Sequence, residues 1–450
     1  MYLGGDLLPA QDCQKRLIEI ASHPTVVGQV VVLPDVFCKN KNFVPGGVAI
    51  ATRGALVPMF CGPTNDSIAV FRTDFQVEDL DSDTLDSMFA SLQRKVQPFR
   101  REAPSISEDE ALASLGNPQN KLRETWEKAV SGGQLVHFPS LVPGENGEEG
   151  FSTEQIFEAF PNVRPRNLPD YVPWLDPVQA ARHCMGVLDG GSHFMEVCSV
   201  EEVYSKEVAH HFGLEPGVVV GVVHAGSADV GLLAQRQFAK MEGGRSETLP
   251  VNSIAAVRYS RASGIAARHA IANRLSLITS LTQALEEATS KEGHSVLVSD
   301  APHDLVEMVN HDDEPVFLHR KGAVRALPAS QYAAAHPYGR FGKPFFFPSS
   351  PGNDSFLMIN SSGHPDSFFT CSHGAGRSMA ADEASERFEA EEVKNFSLSR
   401  NVRLYSFGRG SLASQAEAAF KPMEVVRSTL VNMGLANPVV RFRPLAVIKT

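Results

Sequence analysis

Short valine- and isoleucine-rich runs, punctuated by glycine and proline, alternate with a smaller number of amphipathic stretches along this chain. An amphipathic segment over residues 11–22 predicts an N-terminal helix, and the apolar run 26–33 after it predicts a buried strand. The chain turns at Leu33-Pro34-Asp35-Val36-Phe37 and returns through 44–52, after which a short loop carries Pro58-Met59-Phe60-Cys61-Gly62. Residues 76–133 read as helical and charged, with Arg94-Lys95 and Arg100-Arg101 as their basic clusters. From about 139 to 166 glycine, glutamate, asparagine and proline dominate, which predicts a surface insertion.

In the second half, the glycine turn Asp189-Gly190-Gly191-Ser192-His193 opens one strand, and a valine-rich strand at 218–223 ends in His224-Ala225-Gly226-Ser227. The longest predicted helix is 263–291, with Ile271, Leu275, Ile278 and Leu285 on one face. Residues 295–298 read as a strand, and Ser299-Asp300 as the cap of a helix opened by Ala301-Pro302-His303-Asp304. Further helices are predicted over 380–395 and 412–433, before a closing strand at 439–448. Strands able to pair antiparallel, separated by long irregular loops and flanked by helices, give an α+β class, taken as one domain over 1–450.

Composition adds little to that picture but narrows it. The chain has 450 residues, 43% hydrophobic and 21% charged, which is ordinary for a globular protein. No apolar run reaches the length of a membrane span, and residues 1–6 lack the basic-then-apolar pattern of a secretion signal, so a cytoplasmic location is expected. The 6 cysteines show no pairing spacing and no Cys-x-x-Cys, which suits a reducing compartment. A formal net charge of −11 argues against coating of nucleic acid by the whole surface and leaves room for a local basic channel.

Candidate chemistry centres on Cys371-Ser372-His373-Gly374-Ala375-Gly376-Arg377, which places a histidine on a tight turn between a strand and a helix. Glycines there let backbone N–H groups approach an anion, and Arg377 can fork onto a phosphate. Cys61, His193, His224 and His303 each stand at the end of an element beside small residues, and a thiolate with imidazoles suits zinc, manganese, iron or cobalt. With 15 histidines in the chain, chance sets of this kind are numerous, and the same positions also read as packing or surface.

The segments Pro34-Asp35-Val36, Cys61-Gly62, His193-Phe194-Met195-Glu196-Val197, His224-Ala225-Gly226-Ser227, Ala272-Asn273-Arg274 and Asp300-x-x-His303 occur in that order. They are followed by His319-Arg320-Lys321-Gly322-Ala323-x-Arg325, the His373 turn and Arg443-Pro444-Leu445-Ala446-Val447-Ile448-Lys449. Together they resemble the RtcB family of GTP-dependent RNA ligases, from about residue 33 to the C-terminus. The resemblance implies a single large assembly of mixed sheets flanked by helices around a central cleft. It implies that His373 attacks the α-phosphate of GTP and becomes guanylated. GMP then passes to an RNA 3′-phosphate, formed by opening a 2′,3′-cyclic phosphate, and a 5′-hydroxyl displaces it.

By the same resemblance, Cys61, His224 and His303 match the ligands of one Mn²⁺, and His193 a ligand of a second. Glu196 would accept the guanine N1–H and exocyclic amine, with Ser192, Phe194, Asp304, Ser350, Ser355, Gly374, Ala375, Gly376, Phe420 and Lys449 as further GTP contacts. Arg320, Lys321, Arg325 and Arg377 would hold phosphates or RNA. The implied partners are RNA with broken 3′-phosphate and 5′-hydroxyl ends, GTP and an archease-type activator, with no membrane.

Departures from the family pattern are also specific. Where the family has an aspartate three residues before the cysteine, this chain has Pro58; its Pro-Asp-Val-His reads Pro34-Asp35-Val36-Phe37. Ser192 stands for an asparagine, Ala228-Asp229 for Arg-Gly, Leu232 for a histidine, and Ser349-Ser350-Pro351-Gly352-Asn353 for Gly-Ser-Met-Gly-Thr. These changes leave the second metal without its carboxylate, so one tightly held Mn²⁺ is expected, with Asp66 the substitute to test. Three readings follow: a ligase working with one metal, a homologue that binds or transfers guanylate with weak or no end-joining, and a non-catalytic RNA-binding descendant.

Overall fold

The computed structural model describes residues 7–39, 44–98 except 63, 186–227 except 189 and 191, 248–408 except 361 and 363, and 410–450, with short stretches at 135–137 and between 230 and 246. Helix α1 (Gln11–Ala21) turns Cys13, Leu17 and Ile20 inward at helical spacing. They pack on Val32, Val36, Val48 and Ile50 of strands β1 (Val31–Phe37) and β2 (Gly46–Thr52). The first strand therefore lies later than the apolar run 26–33 predicts. Pro34 is tolerated within it because β1 is the edge strand of its sheet, where a missing N–H breaks no ladder.

The chain continues through β3 (Ser67–Gln76), α2 (Ser82–Lys95), β4 (Phe194–Val203), β5 (Val218–Ala225) and the long helix α3 (Ile254–Thr289). Then come β6 (Ser295–Pro302), β7 (Leu305–His311), β8 (Glu314–Lys321), β9 (Ala323–Arg325), β10 (Pro344–Phe347), β11 (Ser355–Ile359) and β12 (Thr370–Ser372). Helices α4 (Ala381–Arg387) and α5 (Ala390–Ser399), strand β13 (Arg403–Ser406), helix α6 (Met423–Asn432) and strand β14 (Asn437–Lys449) close the fold. The main sheet runs β10-β11-β14-β4-β5-β3-β6, antiparallel at each of these pairs, and ends on the short strand Leu135–His137; β13 lies parallel to β14. A second sheet, β1-β2-β8-β7, is antiparallel throughout, and β9 pairs with β12. The class is α+β, as expected.

Helix α3 covers one face of the main sheet: Ile271, Leu275, Ile278 and Leu285 join Phe71, Phe75, Met195 and Val223 in one core, with Leu85, Met88 and Leu92 of α2. It starts earlier than its apolar stripe predicts because Ser253 caps it, accepting the Ala256 N–H at 3.1 Å, and its first turns are buried through Ala256, Val257 and Tyr259.

The helix expected after Asp300 is absent. The Asp300 carboxylate accepts from Arg274 Nε at 3.1 Å and Nη2 at 2.7 Å and from Ser67 Oγ, so it caps nothing, and β6 turns at His303-Asp304 into β7. The helix expected over 380–395 is split into α4 and α5, the second opened by reciprocal capping between Glu389 and Glu392. That expected over 412–433 is confined to α6 after two 3₁₀ turns, since Pro422 cannot sit inside a helix. The insertion expected at about 139–166 lies outside the described residues, as do Arg100-Arg101, Ala228-Asp229 and Leu232. No helix among the described residues is long and apolar enough to cross a membrane.

Candidate active site: a row of ligands beside His373

Strands β4, β5, β3 and β6 are neighbours, and their register pairs Phe194 with His224, Ser67 with Ala225, and Ser67 with Pro302. Antiparallel pairing sets the start of one strand beside the end of the next. His193 just before β4, His224 near the end of β5, Asp66 just before β3 and His303 just after β6 are thereby brought to the same end of the sheet. Asp66 Oδ1 lies 3.0 Å from His193 Nε2 and 3.5 Å from His224 Nε2, and its Oδ2 lies 3.9 Å from His303 Nε2. Asp66, His193 and His224 form one group able to hold a metal ion, and Asp66, His303 and Asp304 a second, the ligand atoms of each within 4.8 Å of one another.

The chemistry of this donor set suits a dication. Both ring nitrogens of His224 and Nδ1 of His303 are buried without a hydrogen bond. Burial pushes His224 down to about 4 and His303 well below its ordinary value, leaving neutral rings with lone pairs. Burial alone would favour a neutral Asp66, but His193 and His224 outweigh it and hold the carboxyl well below the usual range. Asp304 is raised to about 6, by burial and then by the charge of Asp66. Carboxylate oxygens with neutral imidazoles suit Mn²⁺ or a similar ion.

Two expectations bear on this geometry. Asp66 offers a carboxylate to both groups, which Pro58 cannot. Cys61, expected as a ligand, belongs to neither group: its buried Sγ donates to the Arg320 carbonyl at 3.2 Å, and burial, then the charge of Asp304, raises its thiol well above the ordinary value. Its neighbour Gly62 is what admits the acid, since a Cβ there would stand 2.3 Å from the Asp304 carboxylate carbon.

Asp66 is set by the turn before it. Asn65 has φ 65°, and its backbone and side-chain oxygens accept from Arg274 Nη1 at 2.9 Å and Nη2 at 2.6 Å. Arg274 also donates to the Ala225 carbonyl at 2.9 Å, so one buried guanidinium ties β5, the Asp66 turn and Asp300 together. Arg274→Met is expected to cost about 3–5 kcal/mol in urea unfolding, because it leaves Asp300 buried without its cation. An unfolding midpoint equal to that of the parent would remove Arg274 from this role.

His373 follows β12 and meets β1. Its Nδ1 lies 2.7 Å from Asp35 Oδ2, its backbone N–H donates to the same oxygen at 3.2 Å, and Asp35 is fully buried. Burial works against charging the ring, but the hydrogen bond and charge of Asp35 outweigh it and hold His373 above its ordinary value. With Nδ1–H donating to Asp35, the lone pair of the neutral ring is on Nε2. The ring stacks on His303, centroids 4.9 Å apart and planes at 26°. Gly376 has φ 75°, and a Cβ there would stand 2.6 Å from the Asp35 carbonyl oxygen, so glycine is required for this approach. Ala375 N–H is spent on the Pro348 carbonyl at 3.0 Å, and Gly374 also abuts Pro348. Arg377 lies over the Phe420 ring at 4.7 Å and donates to the Ser414 carbonyl at 3.0 Å.

Register places Glu196 opposite Val447 and Phe194 opposite Lys449. Ser355 Oγ donates to Glu196 Oε1 at 3.4 Å, and Lys449 Nζ donates to the Ser192 carbonyl at 3.0 Å while lying 5.4 Å from the Phe194 ring centre. Burial raises Glu196 to about 8 and lowers Lys449 to about 7. Ser350 Oγ accepts from Asn353 Nδ2 at 2.7 Å.

The basic residues divide. Arg320 and Arg325 are buried and share the Glu307 carboxylate, and Arg320 also donates to Thr370 Oγ1 at 3.0 Å and the Phe368 carbonyl at 2.9 Å. These contacts fasten β7, β8 and β9 to the His373 segment. Lys321 is half-buried and feels Asp304 and Cys61. His319 is wholly buried, accepts the Val57 N–H at 3.1 Å, and is pushed down to about 4 by burial.

Asp35 and Glu307 carry roles the motifs alone do not assign. Each is a lone acid inside an apolar strand, and a buried charge requires a partner. That is the signal by which the sequence could disclose them.

The tRNA-splicing ligase RtcB family model matches residues 16–450. The tRNA-splicing ligase RtcB of Thermococcus kodakarensis is 29% identical over 285 residues, which cover 59% of this chain and 59% of that protein. That of Pyrococcus horikoshii is 28% identical over 286 residues, 59% of this chain and 33% of the other. The RNA-splicing ligase RtcB of Mycobacterium tuberculosis is 28% identical over 281 residues, 59% of this chain and 64% of its own length. The matched part thus spans less than two thirds of each of these relatives. On the match from residue 16 to residue 450, the chain belongs to the tRNA-splicing ligase RtcB family.

Proposed function

We propose that this protein is a GTP- and manganese-dependent RNA ligase that joins 2′,3′-cyclic phosphate or 3′-phosphate ends to 5′-hydroxyl ends through guanylated His373. The observation that carries this reading is His373, engaged by Asp35 at 2.7 Å and stacked on His303 of the ligand row. Asp66, His193, His224, His303 and Asp304 would hold the metal, which when bound supplies positive charge against the phosphate oxygens. Asp35 keeps the proton on Nδ1, so that Nε2 attacks the α-phosphorus of GTP. The N–P bond forms as the bond to pyrophosphate breaks, and the positive charge gained by the ring is offset by the Asp35 carboxylate.

Arg377, Lys321 and Lys449 are the cations this reading assigns to phosphates. RNA with broken ends, GTP and an archease-type activator are its partners and the cytoplasm its compartment. An RNA pair bearing 2′,3′-cyclic phosphate and 5′-hydroxyl ends is expected to be joined with GTP and Mn²⁺, the junction keeping the phosphate of the 3′ end. Guanylation of the protein without joining of any such pair would favour a guanylate-transferring homologue. The burial of Arg320 and Arg325 against Glu307 thins the positive charge available to RNA and is the observation on that side.

Glu196 gives the reading a pH signature. Guanine recognition through N1–H and the exocyclic amine needs an ionised acceptor, whereas Glu196 is raised to about 8 by burial, opposed by Ser355. Because only the ionised form binds, guanosine affinity is expected to rise about tenfold per pH unit below pH 8 and to level off above it. Adenosine binding is expected to stay weak and flat, since adenine N1 is an acceptor. Glu196→Gln with an unchanged pH profile in calorimetric titration would remove Glu196 from base recognition.

A further inference from the structure

Cys13 stands in the first turn of α1 and Cys38 directly after β1, and their Sγ atoms are 2.7 Å apart. That is about 0.7 Å beyond a ~2.05 Å S–S bond. The approach is built by packing: both sulfurs belong to the apolar cluster in which α1 lies on Val32 and Val36, Cys13 buried and Cys38 at its half-exposed margin. Among the described cysteines, Cys61, Cys198 and Cys371 are fully buried, so Cys38 is the thiol within reach of solvent.

We propose that Cys13 and Cys38 are a redox-active thiol pair that a hydroperoxide closes to a disulfide, fastening the end of β1 to α1 beside Asp35. Charge supports the division of roles. Cys38 is held below its ordinary value by its hydrogen bond with Cys13 and, against burial, by Arg16 and Lys321, while Cys13 is held well above its own. The accessible thiolate is the attacking sulfur and the buried thiol the resolving one. Cys38 sulfur attacks one peroxide oxygen, the O–O bond breaks, and the departing hydroxide takes a proton to become water. Cys13 sulfur then displaces the sulfenic oxygen as a second water, so two thiols and one hydrogen peroxide give one disulfide and two waters. A small dithiol reverses the change.

The closed form bears on His373 through Asp35, and this part rests on the reading of His373 given above. Cys38 is three residues beyond Asp35 on the same strand end. Lys421 Nζ donates to the carbonyls on either side of Asp35, Pro34 at 2.7 Å and Val36 at 2.8 Å, and also feels Cys13. Drawing the two sulfurs to bond length pulls on this segment and moves Asp35 from Nδ1.

The test uses the full chain, reduced, freed of reductant and treated with hydrogen peroxide, with remaining thiols alkylated and the unreduced digest mapped by mass spectrometry. A Cys13–Cys38 linked peptide that dithiothreitol removes is expected, and Cys13→Ser should stop at a dimedone-trapped sulfenic acid on Cys38. Linked peptide absent while Cys38 of Cys13→Ser is oxidised would overturn the pair. In a second arm, oxidation is expected to lower GMP labelling from GTP several-fold in the parent and not in Cys13→Ser. Linkage without any change in labelling would overturn the coupling to Asp35. Reduced protein that never labels would instead overturn the reading of His373, with the linked peptide still deciding the thiol pair.

Discussion

Replacing Asp35 by asparagine is expected to slow the uptake of guanylate by His373 about 10³–10⁴-fold, the loss that follows when the acid behind a catalytic imidazole is neutralised. Two effects combine. Asp35 Oδ2 engages His373 Nδ1 at 2.7 Å and also accepts the His373 backbone N–H, so it fixes both tautomer and ring orientation. Its charge would also offset the positive ring formed when Nε2 bonds to phosphorus in the proposed step. Asparagine keeps the shape but offers an amide that can present N–H to Nδ1 and turn the lone pair away from the substrate. His373→Ala should remove labelling altogether. Single-turnover labelling of the two variants, each with its thermal unfolding midpoint, separates this from misfolding. A folded Asp35→Asn protein labelling at the parental rate would contradict the role.

Replacing Asp66 by alanine is expected to remove the second metal equivalent and weaken the first at least about 10–100-fold, the range that even outer-shell partners of a metal command. Metal-stripped parent protein should take up two equivalents of Mn²⁺ in calorimetric titration, because Asp66 belongs to both ligand groups while His193 and His224 stand on one side and His303 and Asp304 on the other. Unchanged uptake by Asp66→Ala, with loss in Cys61→Ala, would restore the thiolate as a ligand.

What could be read from the sequence, and what could not, follows from range. The strand-end histidines His193, His224 and His303 and the His373 turn were legible because each sits beside small residues in a short motif. The convergence of the first three was not, because it depends on the register that sets Ser67 against both Ala225 and Pro302. Asp66 enters from the sequence only as a substitute carboxylate to test, because nothing local announces that Arg274, on a helix begun far later in the chain, holds Asn65 and so aims its neighbour. The basic motif around His319 hides a partner in the same way. Arg320 and Arg325 read as phosphate contacts, and nothing local announces that Glu307, on the adjacent strand, engages both. Likewise Asp300 reads as a helix cap only while Arg274 and Ser67 are out of view. The class of fold survived these errors because the alternation of apolar runs and turns is a local property.

The central claim is that His373 is a nucleophile presented to phosphorus, and one measurement addresses it without any RNA. Protein incubated with GTP labelled at the α-phosphate and Mn²⁺ is resolved on a denaturing gel, and the modified peptide is mapped by mass spectrometry. The account predicts a covalent GMP adduct on His373 that acid removes and base does not, as for a phosphoramidate, and far less label from ATP. An adduct on another residue, or the parental level of label in His373→Ala, would contradict it.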